Sequence, residues 1–354
     1  MIFARPIDPL NAATGWRLKM ITKSEGVKIG NMIEEGSSFW TSSILIAGNE
    51  LGIFNALSGG KKTAGEVSKK IKARLRGTEI LLNALAAMGY INKVKDFYMN
   101  SPFSEKYLVE GKNSYMGSAL GHYCQMWKSW GDLAQIVKKG NEHIEFEKKY
   151  LKTDAKQTEI FIDTMYQLGF NDAKTLASKL DLRGVKRVLD VGGGPGHYSF
   201  AMIEKNPEIK ATVLDLPLTL RVTKKYIKKR SMVGKVNTQE GDFLKVDYGA
   251  GYDLVLLSHV LHSNSIKDCR KMINKSYNAL NKGGRIVIHE FILDEDKISP
   301  PDEAIFSVNM LVNTREGASY SLSEILTLLK NGGFNGFKHG KVSERSSYVI
   351  GFKN

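Results

Sequence analysis

The sequence predicts an α/β chain: a Rossmann-like, doubly wound domain in the C-terminal half, preceded by a mostly helical, winged-helix-like unit. Three observations predict it. After Gly184, short apolar runs alternate with helical stretches, the pattern of a parallel sheet wound with helices. Directly behind the first run stands a glycine cluster, Gly192-Gly193-Gly194-Pro195-Gly196. Before residue 112, three helical stretches lead into a polar segment with alternating Val94, Phe97 and Tyr98, which reads as a small β wing.

The elements follow in order. Residues 1 to about 35 show mixed polarity and no clear period, and read as an arm that packs on another subunit or stays mobile. Ser38 to Leu57 is apolar at helical spacing and stops at Ser58, Gly59 and Gly60. Thr63 is a candidate N-cap for AGEVSKKI, and RGTEILLNALAAMGYI supplies the next helix. Residues 115 to 180 are helical and rich in aromatics and Met. The stretches KRVLDVGGG, KATVLDLP, VNTQEGDF, YDLVLLSHVLH and GGRIVIHEFIL then supply strands that alternate with helices, the last of them behind a Gly283-Gly284 turn, and right-handed crossovers fix how those helices cover the sheet. The expected division is 1–112 for the arm and winged-helix-like unit, 113–180 for a helical linker that reaches the active site, and 181–354 for the Rossmann-like domain.

At 354 residues with 42% hydrophobic content, the chain can bury two ordinary cores. Two cysteines, Cys124 and Cys269, exclude a disulfide framework and a Cys-rich zinc site. Met1 to Pro9 lacks the basic and apolar regions of a signal peptide, and no apolar run reaches 18 residues, so a cytoplasmic protein is expected. The net charge of +14 is spread along the chain. Its densest clusters are Lys61, Lys62, Lys69, Lys70, Lys72, Arg74 and Arg76, then Lys224, Lys225, Lys228, Lys229 and Arg230. Both read as solvated helix faces, with an acidic carrier or a membrane surface as the other reading. A winged helix beside basic residues also invites a DNA-binding reading. Joined to an enzyme domain, the same unit serves as a dimerisation platform, so a homodimer without nucleic acid is the expectation.

In open parallel sheets the ligand sits past the carboxyl ends of the strands, so those ends carry the chemistry. The first strand ends at Asp190 and runs into Gly192, Gly193, Gly194 and Gly196, where a tight turn lets the backbone approach a ligand. The helix beginning near His197 aims its amides at the same place. The second strand ends at Asp215, 25 positions after Asp190, where a carboxylate can accept both ribose hydroxyl protons. A dinucleotide fingerprint would need a glycine at position 197, which is His197, so the spacing favours an adenosyl cofactor. Asp242 and Phe243 end the third strand and can bond and cover an adenine. Leu216 beside Asp215, Ser258 at the end of the fourth strand, and Phe161 and Met165 from the preceding helix complete the candidate cofactor residues.

From about residue 38 to 352, the motifs VLDVGGGPGHYSF, VLDLP, GDF, LLSHVLH and LNKGGRIVIHEFIL resemble the plant-caffeate and hydroxyindole type of O-methyltransferase, bacterial relatives included. The resemblance implies an N-terminal dimerisation domain, a Rossmann-like methyltransferase domain, and S-adenosyl-L-methionine without a required metal. It implies His262 as the general base that removes the acceptor's hydroxyl proton. A histidine with a pKa near ~6.5 suits that task for a phenol at about 10. Glu290 matches an acidic residue that orients the imidazole, while His259 and His289 read as structural. This chain departs from the family at two places. His262-Ser263-Asn264 stands for His-Asp-Trp, and Glu316-Gly317-Ala318-Ser319 stands where Gly-x-Glu-Arg-Thr is expected. Ser319 then occupies the position of the second acid, for which Glu316 is the substitute if the loop is shifted.

Phe306, Asn309, Met310 and Asn313 recur at helical spacing and, with Trp130, are the candidate contacts to a small hydrophobic or aromatic acceptor. Two further readings remain: a family member that binds the cofactor but does not methylate oxygen, and a ligand-responsive DNA-binding regulator.

Overall fold

A computed structural model describes residues 23–112, 114–140 and 151–354. The N-terminal part opens with α1 (Lys23–Ser37), α2 (Phe39–Glu50) and α3 (Ile53–Leu57). There follow β1 (Lys62–Thr63), α4 (Ala64–Lys70), α5 (Leu75–Ala87), β2 (Ile91–Val94), β3 (Phe97–Asn100) and α6 (Pro102–Tyr107). The strands form a small antiparallel sheet in the order β1-β3-β2. Thr63 is the N-cap of α4, in a capping box with Glu66. Ile53, Phe54, Leu57, Val67, Leu82, Leu85 and Tyr98 form the core beneath these helices.

Two expectations for this part need correction. The stretch from Ser38 to Leu57 is two helices, broken at Gly52, whose φ of +71° is left-handed. The segment read as aperiodic is helical from Lys23 onward; Gly26, Gly30 and Gly36 dilute its pattern, and Val27, Met32 and Ile33 stay exposed. Residues 1–22 of the expected arm lie outside the described residues.

The helical middle comprises α7 (Gly117–Gly131), α8 (Leu133–Lys139) and α9 (Ala155–Lys179). Asp154 caps α9, accepting from the amides of Lys156 and Gln157 at 3.0 Å each. The C-terminal part runs β4 (Arg187–Val191), α10 (His197–Lys205), β5 (Lys210–Asp215), α11 (Pro217–Lys229), β6 (Val236–Glu240) and β7 (Tyr252–Ser258). A 3₁₀ turn (Leu261–Ser263) leads to α12 (Ile266–Ala279), β8 (Leu280–Glu290), α13 (Pro301–Asn313), α14 (Leu322–Asn331), β9 (Asn335–Lys341) and β10 (Ser347–Phe352). The expected Gly283-Gly284 turn lies inside β8, because both glycines exchange backbone bonds with Lys353 and keep the ladder going.

The seven strands order as β6-β5-β4-β7-β8-β10-β9. The first five are parallel, and β10 runs against both its neighbours. Strand residues alternate between two cores: Val188, Val213, Leu254 and Leu256 face α9 and α10, whereas Leu189, Leu214, Val255 and Leu257 face α12 and α14. The order reverses between β4 and β7, so the loops after these two strands open a crevice there. Asp190 and the glycines follow one of these strands, His259 and His262 the other.

Candidate active site

The glycine turn is shaped by steric demands. Gly192, Gly194 and Gly196 have φ of +64°, +53° and +83°. A Cβ on Gly192 would meet Val260 at 2.9 Å, and one on Gly193 would meet the Asp190 carboxyl carbon at 2.6 Å. The Gly193 carbonyl accepts from Gly196 N–H at 2.9 Å, and α10 begins immediately after with its free amides turned to the crevice.

Around this turn stand three acids. Asp190 is fully buried, with Oδ2 accepting from Ser199 at 2.7 Å and Oδ1 left without a partner. Burial first, and then the charge of Asp215, push its carboxyl up to about 7. Asp215 accepts from the Leu216 amide at 2.7 Å and the Gly194 amide at 2.9 Å, so it ties the second strand end to the glycine turn. Burial raises Asp215 too, against the pull of those amides. Asp242 accepts from the Leu244 amide at 3.0 Å, and Phe243 reaches toward Gly192, its edge 3.6 Å from where a Cβ there would stand. From above, α9 crosses the turn. Ile162 approaches Gly194, while Phe161 and Met165 on the same helix are half-buried. An adenosyl cofactor fits this cradle: Gly192, Gly193 and Gly194 carry no side chains to exclude it, and acids stand at the ends of β4 and β5 and just after β6.

Ser258 ends β7. Its hydroxyl bonds His289 Nδ1 at 2.9 Å, because the parallel register sets these two residues side by side.

The second half of the site centres on His262, in the 3₁₀ turn after β7. Its Nδ1–H donates to Glu290 Oε2 at 2.7 Å. The other carboxylate oxygen accepts from the Leu261 amide at 2.8 Å and the His262 amide at 3.3 Å. Glu290 is only 2% exposed. Burial pulls its carboxyl upward, but the charge and hydrogen bond of His262, then the charge of His259, outweigh this and hold it below its ordinary value. Phe306 meets the His262 ring edge-on at 5.0 Å between centroids, and Phe291 lies nearly parallel to it at 6.1 Å.

The helix α13 brings in the acceptor candidates unevenly. Trp130 Nε1–H on α7 donates to Asn309 Oδ1 at 3.1 Å, and Asn313 Nδ2 donates to the same oxygen at 2.8 Å. Phe306 joins His262, whereas Met310 is buried at 2% exposure and serves the core. Glu316 is exposed, with no ion pair among the described residues. The loop approaches the catalytic turn through Gly317, where a Cβ would meet the His262 carbonyl. Ser319 is buried and donates to the Glu303 carbonyl. Sequence reasoning passed over Phe291, Val260 and Ser199. Ser199 lay within reach of such reasoning, since the first turn of α10 faces the end of β4.

The basic clusters are surface features: Lys61, Lys69, Lys70 and Lys72 are exposed, and Lys224, Lys225 and Arg230 pair with Glu240, Glu159 and Glu204. No helix among the described residues is long and apolar enough to cross a membrane.

Comparison with known proteins agrees with this geometry. Residues 130–335 match the O-methyltransferase domain family, and residues 35–110 match the O-methyltransferase dimerisation domain. The chain is 31% identical over 304 residues to 3-hydroxy-5-methyl-1-naphthoate 3-O-methyltransferase of Streptomyces sahachiroi, covering 84% of this chain and 87% of that one. It is 26% identical over 314 residues to the N,N-dimethyltransferase OxyT of Streptomyces rimosus, covering 86% and 90%. Among solved structures, human N-acetylserotonin methyltransferase in complex with SAM superposes with a TM-score of 0.82 at 26% identity, covering 94% of this chain and 99% of that one. With its glycine turn, strand-end acids and paired histidine, the chain belongs to the O-methyltransferase family and is an S-adenosylmethionine-dependent methyltransferase.

Proposed function

We propose that the enzyme methylates a hydroxyl of a small aromatic molecule, with His262 as the general base. The observation that carries this reading is the 2.7 Å bond from His262 Nδ1–H to the buried Glu290 carboxylate. A carboxylate holding Nδ1–H fixes the tautomer whose lone pair is on Nε2, and it stabilises the imidazolium formed when a proton arrives there. A phenol with a pKa of about 10 is ionised to only about one part in a thousand at neutral pH, so removing its proton during transfer lowers the barrier.

S-adenosylmethionine, when bound, supplies an electrophilic methyl group on a sulfonium. Gly192, Gly193, Gly194 and Gly196 would admit its methionine end beside the α10 amides. Asp215 would hold the ribose, its oxygens each keeping a lone pair beyond the amide bonds described above. Asp242 and Phe243 would bond and cover the adenine, with Leu216, Phe161 and Met165 closing the pocket. The acceptor ring would lie among Phe291, Phe306 and Trp130, with Asn309 and Asn313 bonding its polar groups. An aromatic acceptor agrees with the naphthoate and N-acetylserotonin named for two relatives.

Residues 1–112 would form the homodimer contact, with 113–180 as the helical bridge and 181–354 as the catalytic domain. Val27, Met32, Ile33, Phe39 and Trp40 are each more than half exposed, apolar side chains that a dimer contact would cover. Both cysteines are free, in keeping with a cytoplasmic setting.

A second reading, methylation of nitrogen, is favoured by the similarity to an N,N-dimethyltransferase and by Ser263 and Asn264 after the histidine. Calorimetry with S-adenosylmethionine and its demethylated product, on wild type and Asp215→Ala, tests the cofactor site. NMR of the methylated product then tells oxygen from nitrogen. Binding unaffected by the substitution would refute the assignment of Asp215, and an N-methyl product would refute the leading reading.

A further inference from the structure

His259 has no part in the chemistry above, yet its ring stands beside the catalytic pair. It follows β7 with φ +55°, a backbone conformation uncommon outside glycine, and its amide donates to the His289 carbonyl at 2.8 Å. The ring is wedged between His289 and Phe291, 4.4 Å from each between centroids. That packing aims Nδ1 at Glu290 Oε2, at 3.8 Å, too far for a hydrogen bond, and Nδ1 has no hydrogen-bond partner among the described residues. On the same carboxylate oxygen, at 2.7 Å, sits His262 Nδ1. The three atoms lie within 4.8 Å of one another.

We propose that His259 Nδ1, His262 Nδ1 and Glu290 Oε2 bind a zinc(II) ion that reversibly switches the enzyme off. Two imidazoles and a carboxylate are a donor set that zinc takes, with bonds of about 2.0–2.2 Å and a fourth position left open. Ligand atoms around a tetrahedral zinc stand about 3.3 Å apart by those bond lengths. The observed 2.7 and 3.8 Å to Glu290 bracket that value, and the separation between the two histidines, within 4.8 Å, closes as the rings rotate toward the ion. The side chains of His259 and His262 are 23% and 12% exposed, while His259 Nδ1 itself is shielded, so the ion enters as that ring rotates. Magnesium, which demands oxygen ligands, is excluded by the same donor set.

The consequence for catalysis, which rests on the general-base reading, follows from the imidazole's two nitrogens. Zinc bonded to His262 Nδ1 displaces the proton there, and the neutral ring then carries it on Nε2. The atom that should accept the acceptor's proton becomes a donor, and the base is lost without any covalent change to the protein. Removing the ion returns the proton to Nδ1 and restores the bond to Glu290.

The test is a calorimetric titration of zinc chloride into the full-length chain, with magnesium chloride as control. Wild type is compared with His259→Asn, which keeps a residue that tolerates the left-handed backbone. Wild type should bind zinc and not magnesium, and His259→Asn should bind it at least about tenfold more weakly while still binding S-adenosylmethionine. Equal zinc affinity in the two proteins, or no binding by wild type, would overturn the site. If His259→Asn no longer binds the cofactor, His262→Gln takes its place with the same expected loss. Zinc binding that depends on these histidines, in a chain that methylates no acceptor, would support the site and count against the enzymatic reading instead.

Discussion

At the cofactor end of the site, the groups that matter are backbone turns and strand-terminal acids, most of them within a few residues of a glycine. At the acceptor end they are side chains drawn from distant parts of the chain: Trp130 meets Asn309, and His262 meets Glu290 across two neighbouring strands. At both ends burial favours the neutral form, in opposite titration directions for acid and base: Asp190 is held neutral up to about 7, while His259 is driven down to about 4, His197 to about 3 and His289 well below its ordinary value. A binding cradle can thus be specified by local conformation, while the catalytic chemistry needs the whole fold to converge.

The sharpest way to break this comparison is to remove one group from each end. His262→Ala should lower kcat by about 10²–10⁴-fold, the usual weight of a general base, with cofactor affinity unchanged. Steady-state rates and calorimetry on the same preparation check both halves of that statement. Gly193→Ala places a Cβ 2.6 Å from the Asp190 carboxyl carbon, a clash with a group that is itself held by Ser199. Its cost should be about 1–3 kcal/mol of stability, the range for overpacking, together with weakened cofactor binding, measured by denaturant unfolding and calorimetry.

The opposed titrations give a pH signature. A histidine with a depressed folded pKa contributes stability above its unfolded value of about 6.5 and loses it as pH falls toward the folded value. His197 and His259 should each forfeit up to about 2 kcal/mol between pH 6.5 and 5. Asp190 acts oppositely, since its raised pKa contributes stability below about 4 that is lost as pH rises through about 7. Melting of wild type and Asp190→Asn from pH 5 to 8 should show the variant gaining on wild type as pH rises from 5 to about 7, the difference levelling off above that, with the acid-side loss kept. The smallest effect belongs to the acceptor network. Asn313→Ala removes the bond to Asn309 Oδ1 and should raise the acceptor's KM by about fivefold, roughly 1 kcal/mol, with cofactor affinity intact.

The same contrast explains how much was legible in the sequence. Gly192 to Gly196 could be read because positive φ leaves glycine as the residue of choice, and Asp215 because a strand end is visible in a hydrophobic pattern. The break at Gly52 was hidden inside a continuous apolar run, and α1 was missed because its apolar residues face no core of its own chain. At Ser258, pattern gives the end of a strand but not the neighbour's register, and that register puts its hydroxyl on His289. Met310 and Asn309 are adjacent in sequence, so spacing could not say which entered the core. Gly317, not Glu316, meets the catalytic turn for a reason that only the packed loop reveals.

The central claim is that His262, held by Glu290, takes a proton from a hydroxyl while the glycine cradle holds the methyl donor. Its most direct test follows an isotopically labelled methyl group from S-adenosylmethionine into a panel of hydroxylated aromatic acids and amides. Wild type and His262→Ala are compared at saturating cofactor, and the products are resolved by NMR. The account predicts a methyl ether formed by wild type and a rate at least about a hundredfold lower in the variant. Equal rates in the two proteins, or a methyl group found on nitrogen or carbon, would contradict it.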